Sequence, residues 1–368
     1  MPRRKIIIKR NIADLVGILN ILILKHKTNL DNVSTAGFKV RSYTKMLNIV
    51  SKFPTTHIKN VEEMKQHFIR SGVAKPNKIQ VITAEFLETG KNQESIDALV
   101  RPELKAVMHL TKIYAIGPAN AKKLYNSHGI ITLTDLCKQF KKTPNILNKK
   151  QAIGLKYFNE LNIRIPRAEI NAYRDILLET CSEVSLNIKM SINGSYRRGL
   201  ESSGDIDIMI TANSDSPGEY DTGELRNKLI KRLQEKQIII EVLANGVKKF
   251  MGISRLTALG FTTARHLDII DTKPETYAFA QLYFTGSGGF NSSMRSHALT
   301  LGYSLNEYTL SHKTTKIPIS SALIQSKIHK TSIKTERDIF EFLDLDYVAP
   351  EARNNITVSK VLRSLGQK

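Results

Sequence analysis

The sequence predicts a multidomain chain: all-α helix-hairpin-helix modules, then an α/β module with a mixed sheet, then a small α+β C-terminal subdomain. Three observations carry that prediction. The chain has 368 residues, more than one compact core needs. Up to about residue 98 it reads as short helical segments broken by polar or Gly-containing turns. Apolar alternation of the strand type appears only beyond Pro166. The expected segments are therefore 1–98, 99–166, 167–274 and 275–368.

Composition narrows the partners. Lysine and arginine number 55 against 34 acidic residues, a formal net charge of +21, which points to a polyanion rather than a small metabolite. The two cysteines, Cys137 and Cys181, supply neither a zinc cluster nor a disulfide framework and are read as packing residues. Apolar runs such as 19–24 fall far short of a membrane span, and no secretion signal is seen, so an intracellular protein without a membrane partner is expected. The start, "MPRRKIIIKR", is read as a solvated basic terminus.

The first module rests on "NIADLVGILNILILKHK", "RSYTKMLNIVSKF" and "KIQVITAEFLETG", whose apolar residues recur at helical spacing. Next, "IYAIGPANAKKLYNSHG" (113–129) sets Gly117 and Pro118 at the start of a helix with Lys122 and Lys123 on its first turns. A tight glycine turn there exposes N–H groups that hold a DNA phosphate without reading its base. An ordinary helix cap explains the same residues, and the overall charge favours DNA. Runs at 206–210, 237–243 and 267–270 read as strands, with "TGELRNKLIKRLQEK" as a helix between the first two. From about 275 come a helical "PETYAFAQLYFTG", a Gly/Ser turn at 286–289, another helix and strand-like pieces near 308–319.

The chemistry concentrates in "GSYRRGLESSGDIDIMI" (194–210). In a strand, residues two apart share a face, so Asp205 and Asp207 are expected to project together while Ile206 and Ile208 pack behind. Two adjacent carboxylates repel unless a cation lies between them, and hard oxygen ligands suit Mg²⁺. The "GS" turn and "SSG" (202–204) offer phosphate donors and Arg198 adds charge, so a triphosphate and its metal fit between them. A solvated edge strand explains a bare D-x-D but not these donors in fixed order ahead of it. Asp268 in "HLDII" (266–270) is the candidate third carboxylate. It would complete a two-metal site, with ions about 3.5–4 Å apart clamping the attacking and leaving oxygens.

Taken together, "GSYRRGLESSGDID", "HLDI", "YFTGSGGFNSSMR" and "LNEY" resemble the family X DNA polymerases of the DNA polymerase beta type. "AIGPANAKKL", "QAIGLKYF" and "RIPRAEI" extend the resemblance over nearly the whole chain, and 167–274 becomes a nucleotidyltransferase palm preceded by a thumb-like hairpin subdomain. The resemblance implies Asp205, Asp207 and Asp268 as ligands of two Mg²⁺ ions, with Mn²⁺ as a substitute, and Asp268 as acceptor of the primer 3′-OH proton. It implies triphosphate contacts from Arg164, Ser195, Arg198, Ser203 and Gly204, and a sugar-lining turn of Tyr283, Phe284 and Gly286. Asn291 and Arg295 match contacts to the nascent pair and template, joined by Glu307 and Tyr308. Gly117, Ala119 and Lys122 match the DNA-binding hairpin, and Lys39, Tyr43 and Lys78 the 5′-deoxyribose-phosphate pocket. The short "EVLANGVKKFMG" hairpin (241–252) matches template-dependent members. The expectation is a monomer acting on gapped or nicked DNA and dNTPs in base excision repair, in the nucleus or, for a viral chain, its replication compartment or virion. An RNA-end nucleotidyltransferase and an inactive DNA-binding scaffold are the alternatives.

Several positions depart from the family pattern. His266 stands where an arginine is usual, Ile270 replaces another arginine, and Gly288 replaces a side chain against the incoming base. Ile82 occupies the place of the Schiff-base lysine, so lyase chemistry would need Lys78, Lys75 or Lys39 instead.

Overall fold

A computed structural model describes residues 9–28, 33–213 and 221–354. The "MPRRKIII" start lies outside them. The chain divides into two compact units, residues 1–158 and 159–368.

Among its described residues the first unit is helical apart from one two-stranded pairing of β1 (Arg10–Asn11) with β2 (His57–Ile58). Helices α1 (Ile12–Lys27), α2 (Val33–Val50), α3 (Val61–Arg70), α4 (Asn77–Thr89) and α5 (Gln93–Leu99) form its first part. Asn11 caps α1 by accepting the Ala13 N–H at 2.9 Å, and Leu15, Ile18, Leu19, Leu22 and Ile23 bury one side of that helix. They join Tyr43, Met64, Phe68, Ile82 and Phe86 in one core. Helices α6 (Pro102–Leu110), α7 (Pro118–His128), α8 (Leu133–Lys142) and α9 (Lys149–Lys156) share a second core built on Val107, Leu110, Ile116, Leu124 and Leu136. Gly154 is required in α9, because a Cβ there would stand 2.4 Å from the Tyr114 carbonyl oxygen.

The division falls in the short helix α10 (Phe158–Leu161), so residues 159–166 belong with the second unit. Strand β3 (Ile165–Pro166) pairs with β5 (Ser202–Ser203), which ties that segment to the motif strand. Between them lie α11 (Arg167–Val184), β4 (Ile188–Ile192) and the one-turn helix α12 (Gly194–Arg197). Then follow β6 (Ile206–Ala212), α13 (Thr222–Glu235), β7 (Ile239–Asn245), β8 (Lys249–Leu256) and β9 (Phe261–Asp271). The sheet order is β4-β6-β9-β8-β7, with β6 and β9 parallel and every other pair antiparallel. This is the expected mixed sheet, although alternation alone marked neither β4 nor β8.

Ile206, Ile208 and Ile210 of β6 and Leu267 and Ile269 of β9 enter a core with Tyr173 and Leu177 of α11 and Leu229 and Leu233 of α13. The alternate residues, Asp207 and Met209 with His266, Asp268 and Ile270, therefore face the other side of the sheet. Met209 packs there against Tyr277 and Ala280 of α14 (Tyr277–Thr285). The last subdomain adds α15 (Gly288–Thr300), β10 (Tyr303–Leu305), β11 (Leu310–His312), α16 (Ser321–Ile328) and α17 (Glu336–Phe342) around its own core of Phe290, Met294, Ile339, Phe340 and Phe342. Among the described residues no helix is long and apolar enough to cross a membrane.

One buried ion pair fixes α11 to the sheet. Arg265 Nε and Nη2 donate to the Glu169 carboxylate at 2.8 and 2.7 Å, and Nη1 donates to the Ile163 carbonyl at 2.8 Å. Neither side chain is more than 5% exposed, so removing one partner strands a charge. Arg265→Met is expected to lower stability by about 3–5 kcal/mol in urea unfolding. Pairing it with Glu169→Leu is expected to recover much of that loss, and equal loss in single and double variants would contradict the pairing.

Candidate active site

The parallel register of β6 and β9 sets Asp207 directly beside Asp268 on the side of the sheet opposite α11 and α13. Asp205 differs from expectation. Strand β6 begins at Ile206, so Asp205 lies in the preceding bend, exposed at the mouth of the site rather than on the strand with Asp207. It still reaches the group: burial and the Asp268 charge both raise its pKa, while His266, Lys249 and Arg164 oppose them.

Asp207 is more enclosed. Burial, then the charges of Asp205 and Asp268, push its pKa up to about 7. Above it lies the one-turn helix α12, and Gly194 explains the glycine of the "GS" pair: its φ is +57° and a Cβ would stand 2.5 Å from Asp207 Oδ2. Ser195 Oγ donates to Ser203 Oγ at 2.8 Å, joining α12 to the "SSG" strand. Arg164 donates from Nε to Ser202 Oγ at 2.8 Å, and also to the Ser202 carbonyl. Gly204 follows Ser203 in the exposed bend that leads to Asp205.

Arg198 feels both Asp207 and Asp205, which hold up a guanidinium that burial pulls down. It donates to the Thr285 carbonyl at 2.6 Å and to Asn354 at 2.7 Å, linking the acidic site to the end of α14. Tyr283 and Phe284 belong to that helix rather than to a turn, and the reversal is confined to Gly286, at φ +66°, and Ser287. Phe284 packs toward Met209, Tyr277 and Ala280. Asn291 Nδ2 donates to the Tyr283 carbonyl at 2.6 Å. Arg295 lies 4.9 Å from the Tyr283 ring centre and 3.5 Å from Glu307, while Tyr308 carries the Lys248 ammonium 4.4 Å from its ring centre. These residues gather around Tyr283 and the β10–β11 turn. Gly288 opens α15, exposed, with free space where a Cβ would stand.

Lys249 and the Arg197–Glu336–Arg353 network escaped sequence reasoning. Lys249 Nζ lies 2.7 Å from Asp268 Oδ2, giving the acidic cleft an internal cation. Arg197 donates to both Glu336 oxygens at 3.1 and 2.7 Å and to Thr285 Oγ1 at 2.6 Å, and the fully buried Arg353 reaches the same carboxylate at 2.7 Å. His266 lies within reach of the Asp268 and Asp205 charges, and burial holds its pKa below the ordinary value against their pull.

The donor set fits a hard divalent cation, because three carboxylates share one low-dielectric face and two of them are held above the usual carboxylate range. As they stand, no three His, Cys, Asp or Glu side chains among the described residues close around a cation. Lys249 supplies the positive charge at Asp268 instead.

In the first unit, Tyr43 is fully buried with its hydroxyl donating to Glu94 at 3.3 Å, and Lys78 Nζ lies 4.3 Å from the Tyr43 ring centre. Lys25 meets Glu94 at 3.2 Å, and His26 stacks on Tyr43 with ring centres 5.4 Å apart. Desolvation lowers the Lys78 pKa, with Glu94 opposing and Lys39 and Lys25 reinforcing the shift. Ile82 is buried in the core and offers no amine. Gly117 caps α7 with Ala119 exposed on its first turn, whereas Lys122 is occupied by Glu103 at 3.0 Å and the Thr28 carbonyl at 3.3 Å.

Comparison with known proteins is consistent with this geometry. Residues 164–273 match the DNA polymerase beta palm, 280–354 the DNA polymerase beta thumb, and 108–162 the fingers domain of DNA polymerase lambda. The chain belongs to the family X DNA polymerases. DNA polymerase lambda of Arabidopsis thaliana is 30% identical over 85% of this chain and 57% of its own length. The Rattus norvegicus DNA polymerase lambda is 28% identical over 88% and 54%. The DNA nucleotidylexotransferase of Gallus gallus is 24% identical over 82% and 60%. The chain thus spans somewhat over half the length of these family X relatives. The palm match contains all three aspartates, and the thumb match contains Tyr283, Asn291 and Arg295.

The Asp207 shift has a defined consequence. A carboxyl whose folded pKa lies above its unfolded value keeps a proton that the unfolded chain releases, so stability falls as pH rises from about 4 to 7. In metal-free protein, Asp207→Asn is expected to match the native chain near pH 4 and to exceed it by roughly 4 kcal/mol at pH 8. Denaturant unfolding at both pH values checks this, and a difference independent of pH would contradict it.

Proposed function

We propose that this chain is a template-directed DNA repair polymerase that fills short gaps in base excision repair, adding dNTPs to a primer 3′-OH. The observation that carries the reading is the Asp207–Asp268 register on one sheet face, crowned by the Gly194–Ser195 turn and Arg198. Asp205, Asp207 and Asp268 would hold two Mg²⁺ ions, with Mn²⁺ as a substitute. Bound there, such ions lower the pKa of an attacking hydroxyl and neutralise a departing pyrophosphate.

The protein's own groups do the positioning. Arg164, Ser195, Arg198, Ser203 and Gly204 surround the place of the triphosphate, and Arg198, held by Thr285 and Asn354, lies within reach of the charges of Asp207 and Asp205. Asp268 accepts the primer hydroxyl proton, and Lys249 must release it for that role. Gly286 lets backbone approach the sugar, with Tyr283 and Phe284 behind it on α14, and Asn291, Arg295, Glu307 and Tyr308 line the nascent pair and template. The short β7–β8 hairpin, turning at 246–248, favours filling on a template. The segments 1–98, 99–166, 167–274 and 275–368 take the 5′-end, hairpin, catalytic and nascent-pair roles, and Gly117 and Ala119 supply the hairpin's DNA contact, joined by Lys122 once it leaves Glu103.

The deciding experiment is extension of a one-nucleotide gapped duplex with dNTP or ATP and Mg²⁺. Templated dNTP addition is expected, falling at least about 10³-fold in Asp268→Ala. ATP addition to RNA ends would favour the nucleotidyltransferase alternative, and no addition would favour the scaffold.

A second activity rests on Lys78. An amine depressed by desolvation and neighbouring cations is suited to attack a sugar aldehyde, and Glu94 and Tyr43 stand beside it. Lys78 is the nucleophile in this reading of 5′-deoxyribose-phosphate lyase activity. Borohydride is expected to trap the native chain on an incised abasic duplex and to lose the adduct in Lys78→Ala. Equal trapping of both would remove Lys78 from the role.

A further inference from the structure

A Schiff base on Lys78 does not by itself release a sugar phosphate. A proton must also leave C2′, the carbon next to the imine, before the C3′–O3′ bond can break, and that transfer needs a positioned base. The pocket holds one built for it.

Glu94 lies in the first turn of α5, where Asn92 caps the helix by accepting the Ser95 N–H at 3.0 Å. Glu85 in turn accepts from Asn92 Nδ2 at 2.6 Å and from the Gln93 N–H, so this second carboxylate is committed to the start of α5. Glu94 points back to α1 and α2 instead. Its Oε1 meets Lys25 Nζ at 3.2 Å and His26 Nε2 at 3.6 Å, and its Oε2 accepts from the Tyr43 hydroxyl at 3.3 Å. Those three partners are buried, whereas the Glu94 side chain is 40% exposed. A carboxylate offers about four lone-pair sites, so the anchored group keeps accepting capacity toward solvent. Lys78, exposed near the start of α4, lies over the Tyr43 ring, and Glu94 is the anion whose charge it feels. Tyr43 is therefore a shared wall, with the amine over its face and the carboxylate at its hydroxyl. Once an imine forms, C2′ is two bonds from Nζ, between the two groups.

We propose that Glu94 is the base of the elimination, an assignment that rests on the reading of Lys78 as nucleophile. Unprotonated Lys78 Nζ attacks C1′ of the ring-opened sugar, and water leaves as the protonated imine forms. A Glu94 oxygen takes a C2′ proton, the C–H pair becomes a C1′–C2′ double bond, and the imine nitrogen accepts the displaced pair. That pair then returns to restore the imine, a C2′–C3′ double bond forms, and the C3′–O3′ pair leaves with the DNA 5′-phosphate. Water hydrolyses the imine and frees Lys78, while Glu94 gives its proton to solvent. Lys25, His26 and Tyr43 are positioning residues that fix the carboxylate.

The test follows borohydride trapping and release of the DNA 5′-phosphate side by side, by rapid quench, with the full chain on a gapped duplex bearing a 5′-deoxyribose phosphate. In Glu94→Gln, close to isosteric, trapping is expected to keep its native extent while release falls about 10²-fold or more, so that the adduct accumulates. Glu94→Asp is expected to recover part of the release. A duplex with a tetrahydrofuran phosphate, which lacks the aldehyde, is expected to bind both variants at least as tightly as the native chain and so reports that they fold. If Glu94→Gln fails that check, the same split is read in Glu94→Asp. Unchanged release in the variants would overturn the role of Glu94 and leave Lys78 in place. Loss of trapping together with release would make Glu94 a support for Lys78 and overturn its role as base. No adduct on the native chain would remove the Lys78 reading itself, and the base with it.

Discussion

The interaction on which the second unit's acidic cleft depends is the mutual repulsion of three carboxylates, two on one face of a sheet and one in the bend before it. Two unit charges a few ångströms apart in a protein interior oppose each other far more strongly than in water. The fold does not relieve this by separating them. It fixes Asp207 and Asp268 in adjacent parallel strands, lets Asp205 approach from the bend before β6, and surrounds them with Lys249, Arg198 and His266. The result is a cleft in which Asp207 prefers to keep its proton near neutral pH. A site poised in this way costs stability in isolation and favours any arriving cation, a common pattern at functional sites.

The surrounding structure supplies rigidity for that poise. The opposite face of the same strands is a continuous aliphatic layer under α11 and α13, and the Arg265–Glu169 pair locks β9 to α11 one residue from His266. On the acidic side, α12 lies so close to Asp207 that only glycine is tolerated at position 194. Arg197 and Arg198, adjacent in sequence, diverge: one joins Glu336 and Arg353, and the other runs from Asp207 and Asp205 to Thr285 and Asn354. Both therefore connect the motif to the last subdomain, so the position of α14 and α17 is coupled to the Gly194–Ser195 turn.

Much of this was legible in the sequence, because strand alternation and motif order are local properties. Apolar spacing reads the helical first module and the strands that carry Asp207 and Asp268, and motif order singles out the Gly194–Ser195 turn. Asp205 was placed on the strand because alternation cannot say where pairing starts, and the antiparallel β3–β5 contact ends just before it. The apolar spacing of "PETYAFAQLYFTG" reads Tyr283 and Phe284 as helical, as they are, and it is the family resemblance that groups them with Gly286 in a turn. Lys249 left no signal, since a lysine in a hairpin reads as solvated until pairing with Ile270 on β9 brings its ammonium diagonally to Asp268, two residues away on the same face. Glu94 and Glu336 escaped for the same reason: their partners are distant in sequence, and pairing across such distances leaves no periodicity to read.

The claim that the cleft is built to receive divalent cations is tested most directly by Mn²⁺ titration of metal-free protein with dNTP present, following loss of the free-ion paramagnetic resonance signal. Saturable binding of two ions per chain is predicted near pH 7.5, weakened strongly by Asp207→Ala and by Asp268→Ala, and tightened by Lys249→Met. Binding that is absent, or equal in the native chain and Asp207→Ala, would contradict the account.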